Sequence, residues 1–359
     1  MTRIRSLRLS AAVLCAALLA GCSAAPAAET LPVSETAAVS EDIAVPVTVF
    51  AMDTVMELTP YGPHAEEAGA RAVARLQELD HTLSTTDEDS DIYRANHSQG
   101  QAVPVSEDTA ALLEAALRLG AETGGALDIS IYPVVKAWGF TTSSYQVPSQ
   151  ETLDRLLAYV DDSAVEFDAE ARTVTVPDGM EIDLGSIAKG YAGDQVIALF
   201  RDCGVTSAII SLGGNVQTLG TKPDGSPWRV AVQAPDGSSY AGVLEVIDQA
   251  VVTSGGYERY FEADGEIYWH IIDPSTGYPA KNGVVSATVV GDSGMVCDAL
   301  STALFILGPD KAAEFWRTYG GFEYILITDE GEILLTPGLE DCFSLYGDWT
   351  SHTLTVVTP

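Results

Sequence analysis

Two segments in the last third of the chain carry side chains that could do chemistry. Asp298 and Thr302 are four residues apart, and His270 stands just before the turn Asp273-Pro-Ser-Thr-Gly277. If the first segment is helical, Asp298 and Thr302 project from one face, and their oxygens are the hard donors that Mg²⁺ prefers. A plainer interpretation stays open, in which the Asp caps a helix and the Thr bonds back to the helix backbone.

A polar turn ahead of a predicted helix is a further candidate. The segment 183–194 contains Gly185, Ser186 and Lys189. Backbone amides at a helix N-terminus favour phosphate, and Lys189 would add a cation there. The segment lacks the spacing of a P-loop or a Rossmann fingerprint, so a glycine-assisted helix start with Lys189 in solvent fits equally well. His270 could act as a general base, because the pKa of histidine lies near working pH.

Apolar periodicity predicts the elements that must position these residues. Residues 47–58 are predicted as one strand, or as two strand pieces joined at Met52-Asp53. Helices are predicted over 65–80, from Ser106 as N-cap to Gly120, over 186–201, and over 294–307 before Gly308-Pro309. Further strands are predicted at 172–176, 207–212, 228–232, 284–290 and 324–327. This mixture favours an α+β domain with antiparallel sheets over a regular βαβ array.

The N-terminus has the pattern of a targeting segment. Three arginines within the first eight residues precede an apolar run over 9–20, which is too short to span a bilayer comfortably. The run ends in Leu-Ala-Gly-Cys22, which resembles the lipobox of bacterial lipoproteins. The resemblance implies a signal peptide over 1–21, a lipid on Cys22, a flexible linker over 22–45, and a place at the extracytoplasmic face of a cell membrane. An ordinary secretory signal that contains a cysteine is the alternative.

Composition narrows the classes of partner. Eighteen basic residues against 51 acidic ones give a formal net charge of −33. Such a surface repels nucleic acid, so no nucleic-acid partner is expected, and an anionic ligand would need a local cation or metal. Beyond the predicted signal and Cys22, the remaining cysteines, Cys203, Cys297 and Cys342, are odd in number and widely spaced, so neither a disulfide framework nor a zinc site is predicted.

Eight segments between about Val47 and Phe343 resemble, in the same order, those of the ApbE family of FAD:protein FMN transferases. Each segment is modest, but eight in sequence are very specific. The segments are Ala51 to Thr54; Leu83-Ser84 with Ser90-Asp91-Ile92 and Asn96; Thr123 to Asp128 with Trp138-Gly139-Phe140; Asp183 to Gly190; Leu212 to Asn215; Thr253-Ser254-Gly255; His270 to Gly277; and Asp298 to Thr302. The resemblance implies an α+β, T-fold-related domain with mixed and antiparallel sheets and packed helices over 46–345, followed by a C-terminal tail over 346–359.

The resemblance also implies a reaction and the residues that perform it. A Mg²⁺-dependent enzyme of this kind binds FAD as substrate and moves its FMN half onto a Ser or Thr hydroxyl of an acceptor flavoprotein, releasing AMP. Asp298 and Thr302 would be side-chain ligands of Mg²⁺, and Ser186 would offer its backbone carbonyl. His270 would be the base, and Lys189 would stabilise charge on the phosphoryl oxygens. The implied FAD-lining residues are Met52, Ser84, Ala126, Leu127, Asp128, Lys189 and Ile272.

Two departures from the family pattern and two competing functions remain. Asp53 stands where Gly is frequent, and Gly256 stands where an acidic residue often occurs, which leaves rim contacts and acceptor preference open. The family's acceptor signature is missing here, so self-flavinylation is not expected. The same site could admit water and split FAD into FMN and AMP. A non-catalytic FAD-binding lipoprotein is the third possibility.

Overall fold

A nine-stranded sheet is the framework of residues 43–237 and 239–359, the part of the chain that the computed structural model describes. The predicted signal peptide 1–21, Cys22 and most of the linker 22–45 lie outside these residues. Within the described ranges, no helix combines the length and the apolar character needed to cross a membrane.

The described residues form helices of very different lengths and many short strands. The helices are α1 Ala65–Leu83, α2 Asp91–Asn96, α3 Glu107–Glu122, α4 Tyr132–Trp138, α5 Gln150–Leu157, α6 Ala188–Asp202 and α7 Gly294–Tyr319. The strands are β1 Val47–Ala51, β2 Thr54–Pro60, β3 Val103–Pro104, β4 Glu166–Asp168, β5 Thr173–Thr175, β6 Ala208–Leu212, β7 Asn215–Leu219, β8 Trp228–Gln233, β9 Tyr240–Val246, β10 Ala250–Gly255, β11 Tyr260–Ala263, β12 Glu266–Trp269, β13 Val284–Gly291, β14 Glu323–Thr328, β15 Ile333–Leu335, β16 Phe343–Leu345 and β17 Leu354–Val356.

The main sheet is mostly antiparallel. Its strands follow the order β1-β2-β6-β7-β10-β13-β14-β15-β17. The neighbours from β1 to β15 are antiparallel, and β15 pairs with β17 in parallel. Smaller sheets are formed by β16-β9-β8, β3-β5-β4 and β11-β12. These sheets with their packed helices confirm the predicted α+β fold.

Alternating side chains send the two faces of the main sheet into different cores. On β10, Val252 joins the core that the helices cover, together with Leu304 of α7. Its neighbour Val251 points the other way and joins Trp228 and Val230 of the small β16-β9-β8 sheet. Each such fully buried aliphatic side chain stabilises the fold by roughly 1.5–3 kcal/mol. The sheet is therefore packed on both faces, which fixes the strand register.

A third apolar cluster holds the segment that begins at His270. Trp138 of α4 is fully buried, and its Nε1 donates to the Gly277 carbonyl at 2.8 Å. The Trp138 ring lies 5.2 Å from the ring of Tyr268, and Ile272 belongs to the same cluster. The loop after β12 is thus anchored at both ends.

Most predicted elements are present, with local differences at their ends. The strand over 47–58 is the hairpin of β1 and β2, and its turn residues Met52 and Asp53 have φ values of 49° and 57°. Ser106 caps α3 as predicted, its side chain accepting from the Thr109 amide. The helix predicted over 186–201 begins at Ala188.

Two features of the C-terminal part were not predicted from the sequence. The helix predicted to close at 307 does break at Gly308, where φ is 78° and ψ is 172°, but a second helical part continues to Tyr319. Pro309 can begin this second part because the first turn of a helix needs no proline N–H. The segment 346–359, predicted as a tail, contributes β17 to the main sheet. A three-residue strand is too short for periodicity to reveal.

Candidate active site

One cleft of about 1180 Å³ brings the predicted site residues together. Its walls come from the β1–β2 turn, the loops after α1 and α3, the N-terminus of α6, the loop after β12, and α7. All eleven residues predicted from the sequence line it: Met52, Ser84, Ala126, Leu127, Asp128, Ser186, Lys189, His270, Ile272, Asp298 and Thr302. Their chemical roles stay predictions, but their convergence in one cleft is a property of the fold.

Asp298 lies in the interior of α7, one turn before Thr302. The helix is capped by Ser293, whose side chain accepts from the Val296 amide, so Asp298 is not the cap of its own helix. The Asp298 side chain is buried, and its Oδ2 accepts from the Gly190 amide at 2.8 Å. Burial raises the pKa of Asp298, while the nearby Lys189 ammonium opposes that rise. A buried carboxylate of this kind favours a neighbouring cation.

Two close helix contacts place Lys189 beside Asp298. A Cβ on Gly190 would lie only 2.0 Å from the Gly294 carbonyl oxygen, so α6 and α7 approach as closely as glycines permit. Asp194 of α6 caps α7, because its carboxylate accepts from the amides of Gly294 at 2.7 Å and Met295 at 3.0 Å. These two contacts fix the N-terminal turns of both helices against each other.

Ser186 stands in the turn that precedes α6. The residue is half-buried and lines the cleft. The turn therefore places Ser186 in the lining of the same cleft as Asp298 and Lys189, and its role as a metal ligand stays a prediction.

A divalent cation fits the oxygen donors on this wall. Asp298 offers one buried carboxylate, Thr302 a hydroxyl and Ser186 a carbonyl. Within the described residues, no cluster of three or more His, Cys, Asp or Glu side chains could hold a metal. A cation here would rely on one carboxylate, neutral oxygens and substrate phosphates, which is how Mg²⁺ is usually bound.

His270 faces the cleft as a neutral imidazole. Burial lowers its pKa to about 4, helped by the Arg259 and Lys189 charges. The ring Nδ1 lies 3.3 Å from the Arg259 carbonyl oxygen, which can only accept a hydrogen bond. The neutral ring therefore carries its hydrogen on Nδ1 and leaves Nε2 free to accept a proton.

Sequence reasoning assigned no role to several charged residues of the cleft, among them Asp183, Glu258 and Arg259. Burial raises the pKa of Glu258 to about 7, and the Asp298 carboxylate adds to that rise. Burial also raises the pKa of Asp183. Asp183 opens the resembling segment Asp183 to Gly190, and Glu258 and Arg259 follow closely after Thr253-Ser254-Gly255. These positions were the feature of the sequence that could have pointed to the three residues. Arg259 and Lys189 give this acidic protein a local pair of cations.

Strained and polar turns form another part of the cleft lining. Met52 and Asp53 both have positive φ, and the Met52 amide donates to Asp80 Oδ1 at 2.8 Å. Ser84 Oγ accepts from the amides of Thr86 and Asp87 at 3.1 Å, so its side chain holds a turn. Backbone strain of this kind is common at ligand sites.

Asp128 also makes structural hydrogen bonds. Its Oδ1 accepts from the Ser130 amide at 2.8 Å, and burial raises its pKa. The adjoining Ala126 and Leu127 are buried, and the Leu127 amide donates to Thr123 Oγ1 at 3.2 Å. The loop after α3 is thus held rigidly where it borders the cleft.

Comparisons with known proteins show which family the chain resembles. Residues 52–326 match the model of the ApbE family. The chain is 36% identical over 275 residues to FAD:protein FMN transferase of Escherichia coli (strain K12), covering 73% of this chain and 77% of that protein. It is 33% identical over 348 residues to FAD:protein FMN transferase of Salmonella typhimurium, covering 92% of this chain and 94% of that one.

Solved structures share the fold as well. The crystal structure of the ApbE protein from Thermotoga maritima superposes with a TM-score of 0.77 at 32% identity, covering 81% of this chain and 96% of that one. The match therefore covers most of the fold. On these grounds, the chain belongs to the ApbE family.

Proposed function

We propose that this flavin transferase moves the FMN half of FAD onto a serine or threonine hydroxyl of an acceptor protein, that it releases AMP, and that it requires Mg²⁺. The relatives named above are FAD:protein FMN transferases. The observation that carries the proposal is the meeting of Asp298, Thr302 and Lys189 on one wall of a cleft of about 1180 Å³. That volume exceeds the roughly 300–1,000 Å³ typical of small-ligand pockets, which suits a dinucleotide as large as FAD.

Two basic side chains in the cleft support a pyrophosphate ligand. The protein as a whole carries a net charge of −33, which repels FAD at a distance. Lys189 and Arg259 both line the cleft, but carboxylates outnumber them there, so the two cations offset this repulsion only in part and leave a role for a metal ion. Mg²⁺ bound by Asp298, Thr302 and the Ser186 carbonyl would neutralise phosphate oxygens and stabilise the charge that develops on AMP.

The proposed reaction exchanges one phosphorus–oxygen bond for another. The acceptor hydroxyl oxygen attacks the phosphorus of the FMN half, and the bond from that phosphorus to the bridging oxygen breaks. The bridging oxygen leaves with AMP, and the hydroxyl proton passes to Nε2 of His270. The low pKa of His270, about 4, keeps the ring neutral at pH 7 and so able to accept this proton.

The test is incubation of the protein with FAD, Mg²⁺ and an acceptor domain that carries a Ser or Thr site. Covalent flavin on the acceptor, in step with AMP release, is the expected result. Free FMN and AMP without an adduct would instead establish the pyrophosphatase reaction. FAD retention without AMP release would indicate a non-catalytic flavin-binding protein.

We also propose that the protein is a lipoprotein held at the extracytoplasmic face of a cell membrane. The support is the Leu-Ala-Gly-Cys22 motif after a short apolar run. A lipid on Cys22 would hold the enzyme at the membrane surface. Labelled palmitate should enter the wild-type chain but not the variant Cys22→Ala, and labelling of both would contradict the assignment.

A further inference from the structure

Three hydroxyl groups form a cluster that includes the predicted metal ligand Thr302. Ser254 Oγ on β10 lies 2.8 Å from Ser301 Oγ and 3.3 Å from Thr302 Oγ1 on α7. Ser301 is fully buried, whereas Ser254 and Thr302 are half-buried and line the cleft. The cluster connects the central sheet to the helix that carries Asp298.

The donor in each contact follows from counting hydrogens. A serine or threonine hydroxyl has one hydrogen to donate and two lone pairs. Ser301 donates its hydrogen to the Asp298 carbonyl oxygen at 2.8 Å. In its contact with Ser254 it must therefore accept, and Ser254 must donate. Ser254 then has no hydrogen left for Thr302, so Thr302 donates to Ser254.

The direction of this relay matters for the ligand role of Thr302. Thr302 donates its only hydroxyl hydrogen to Ser254, and both lone pairs of its hydroxyl oxygen are left free for a cation. The Asp298 carbonyl, to which a helical Thr one turn later could bond back, is already bonded by Ser301. A hydroxyl that cannot turn its hydrogen into the cleft is a better ligand for a divalent cation.

We infer that Ser254 and Ser301 are positioning residues of the metal site, which fix the Thr302 hydroxyl as an oxygen donor for a divalent cation. The inference rests on the proposed function, because it concerns the Mg²⁺ site of that reaction. Neither serine needs to touch substrate. Partners that orient metal ligands in this way typically contribute 10–100-fold to metal affinity.

Mn²⁺ binding to the detergent-solubilised full-length protein tests the relay without any turnover. The electron paramagnetic resonance signal of free Mn²⁺ gives the dissociation constant directly. Ser254→Ala removes the acceptor of the Thr302 hydrogen, and Ser301→Ala frees the Ser254 hydrogen to reverse the last bond. We expect either substitution to weaken Mn²⁺ binding about tenfold or more, and Ser254→Thr, which keeps the hydroxyl, to restore it.

Ser286→Ala is the matched control. Ser286 is buried on β13, opposite Gly255, and is not among the residues that line the cleft. It should keep wild-type Mn²⁺ affinity, and thermal unfolding should show that all variants fold.

Unchanged Mn²⁺ affinity in Ser254→Ala, with binding lost in Asp298→Ala, would overturn the relay and leave the proposed function intact. Binding that survives in Asp298→Ala would overturn the metal site and the relay together. The FAD transfer assay would still decide separately whether the protein is a transferase.

Discussion

At the residue scale, the proposed chemistry depends on one buried carboxylate. Asp298→Asn keeps the shape of the side chain but removes its negative charge, so Mg²⁺-dependent AMP release from FAD should fall by about 10²–10³-fold. Stability should change little or rise, since a buried charge is lost. Asp292→Asn, an exposed position just before α7, is the matched control and should keep full activity. Full Mg²⁺-dependent activity in Asp298→Asn would contradict the site.

His270 permits a prediction about the rate of transfer. His270→Gln removes the proton acceptor, and covalent transfer in a single-turnover assay should fall about 10²–10⁴-fold. His97→Gln, on a residue outside the cleft lining, should not change the rate. A wild-type transfer rate in His270→Gln would assign the base elsewhere.

The lowered pKa of His270 also affects stability. Its pKa is 6.5 in the unfolded chain and about 4 in the folded one, so between these values the unfolded chain binds more protons. Wild-type stability should therefore fall as pH falls from 6.5 towards 4, and this contribution should be missing in His270→Gln. Thermal unfolding of both proteins across this range measures the difference.

At the element scale, the contact between α6 and α7 determines the spacing of the site. In Gly190→Ala the new Cβ would lie 2.0 Å from the Gly294 carbonyl oxygen and 2.7 Å from Asp298 Cβ. The helices must separate, so we expect a loss of roughly 1–3 kcal/mol in the free energy of unfolding and a loss of transfer activity. Helix propensity alone predicts the opposite sign, a gain of up to about 1 kcal/mol. Stabilisation would therefore contradict the close contact.

Asp128 in the loop after α3 lies close to Asp162 in the loop after α5. Asp162 is buried, its Oδ2 has no hydrogen-bond partner within the described residues, and its amide lies 3.4 Å from Asp128 Oδ2. Burial, together with the nearby Asp128 charge, raises the pKa of Asp162 to about 7. Protonation thus stabilises the fold, and that contribution is lost as pH rises from about 4 through 7.

Asp162→Asn should remove this pH dependence. The melting temperature of the variant should exceed that of the wild type at pH 8, and the difference should shrink towards pH 5. Asp341→Asn, at an exposed position, serves as the control and should follow the wild-type profile. Equal melting temperatures for Asp162→Asn and the wild type at pH 8 would show that Asp162 is not a buried charge there.

At the scale of the whole molecule, acidity makes substrate binding depend on cations. We propose that Mg²⁺ helps a protein of net charge −33 to hold a pyrophosphate, so FAD should raise the melting temperature with Mg²⁺ present and much less after EDTA treatment. Asp298→Asn should lose the Mg²⁺-dependent part of the shift. An equal shift with and without EDTA would mean that Lys189 and Arg259 suffice for binding.

The sequence by itself determined many of the elements and indicated the family. Ser106 as N-cap, the hairpin joined at Met52-Asp53 and the helix that carries Asp298 are all encoded by neighbouring residues. Local periodicity and capping chemistry act over one or two turns, so they can be read without the fold. The order of eight motifs then predicted the site residues by resemblance.

Only the tertiary structure showed that Asp298 does not cap α7. Its spacing to Thr302 fitted a helix cap as well as a metal site, but Ser293 caps α7 and Gly190 of another helix donates to Asp298, so the role of Asp298 as a metal ligand stays a prediction. Gly190 and Asp298 are 108 residues apart. The same holds for Glu258, Arg259 and the Ser254–Ser301–Thr302 relay, because hydrogen-bond direction and burial arise when distant segments pack together.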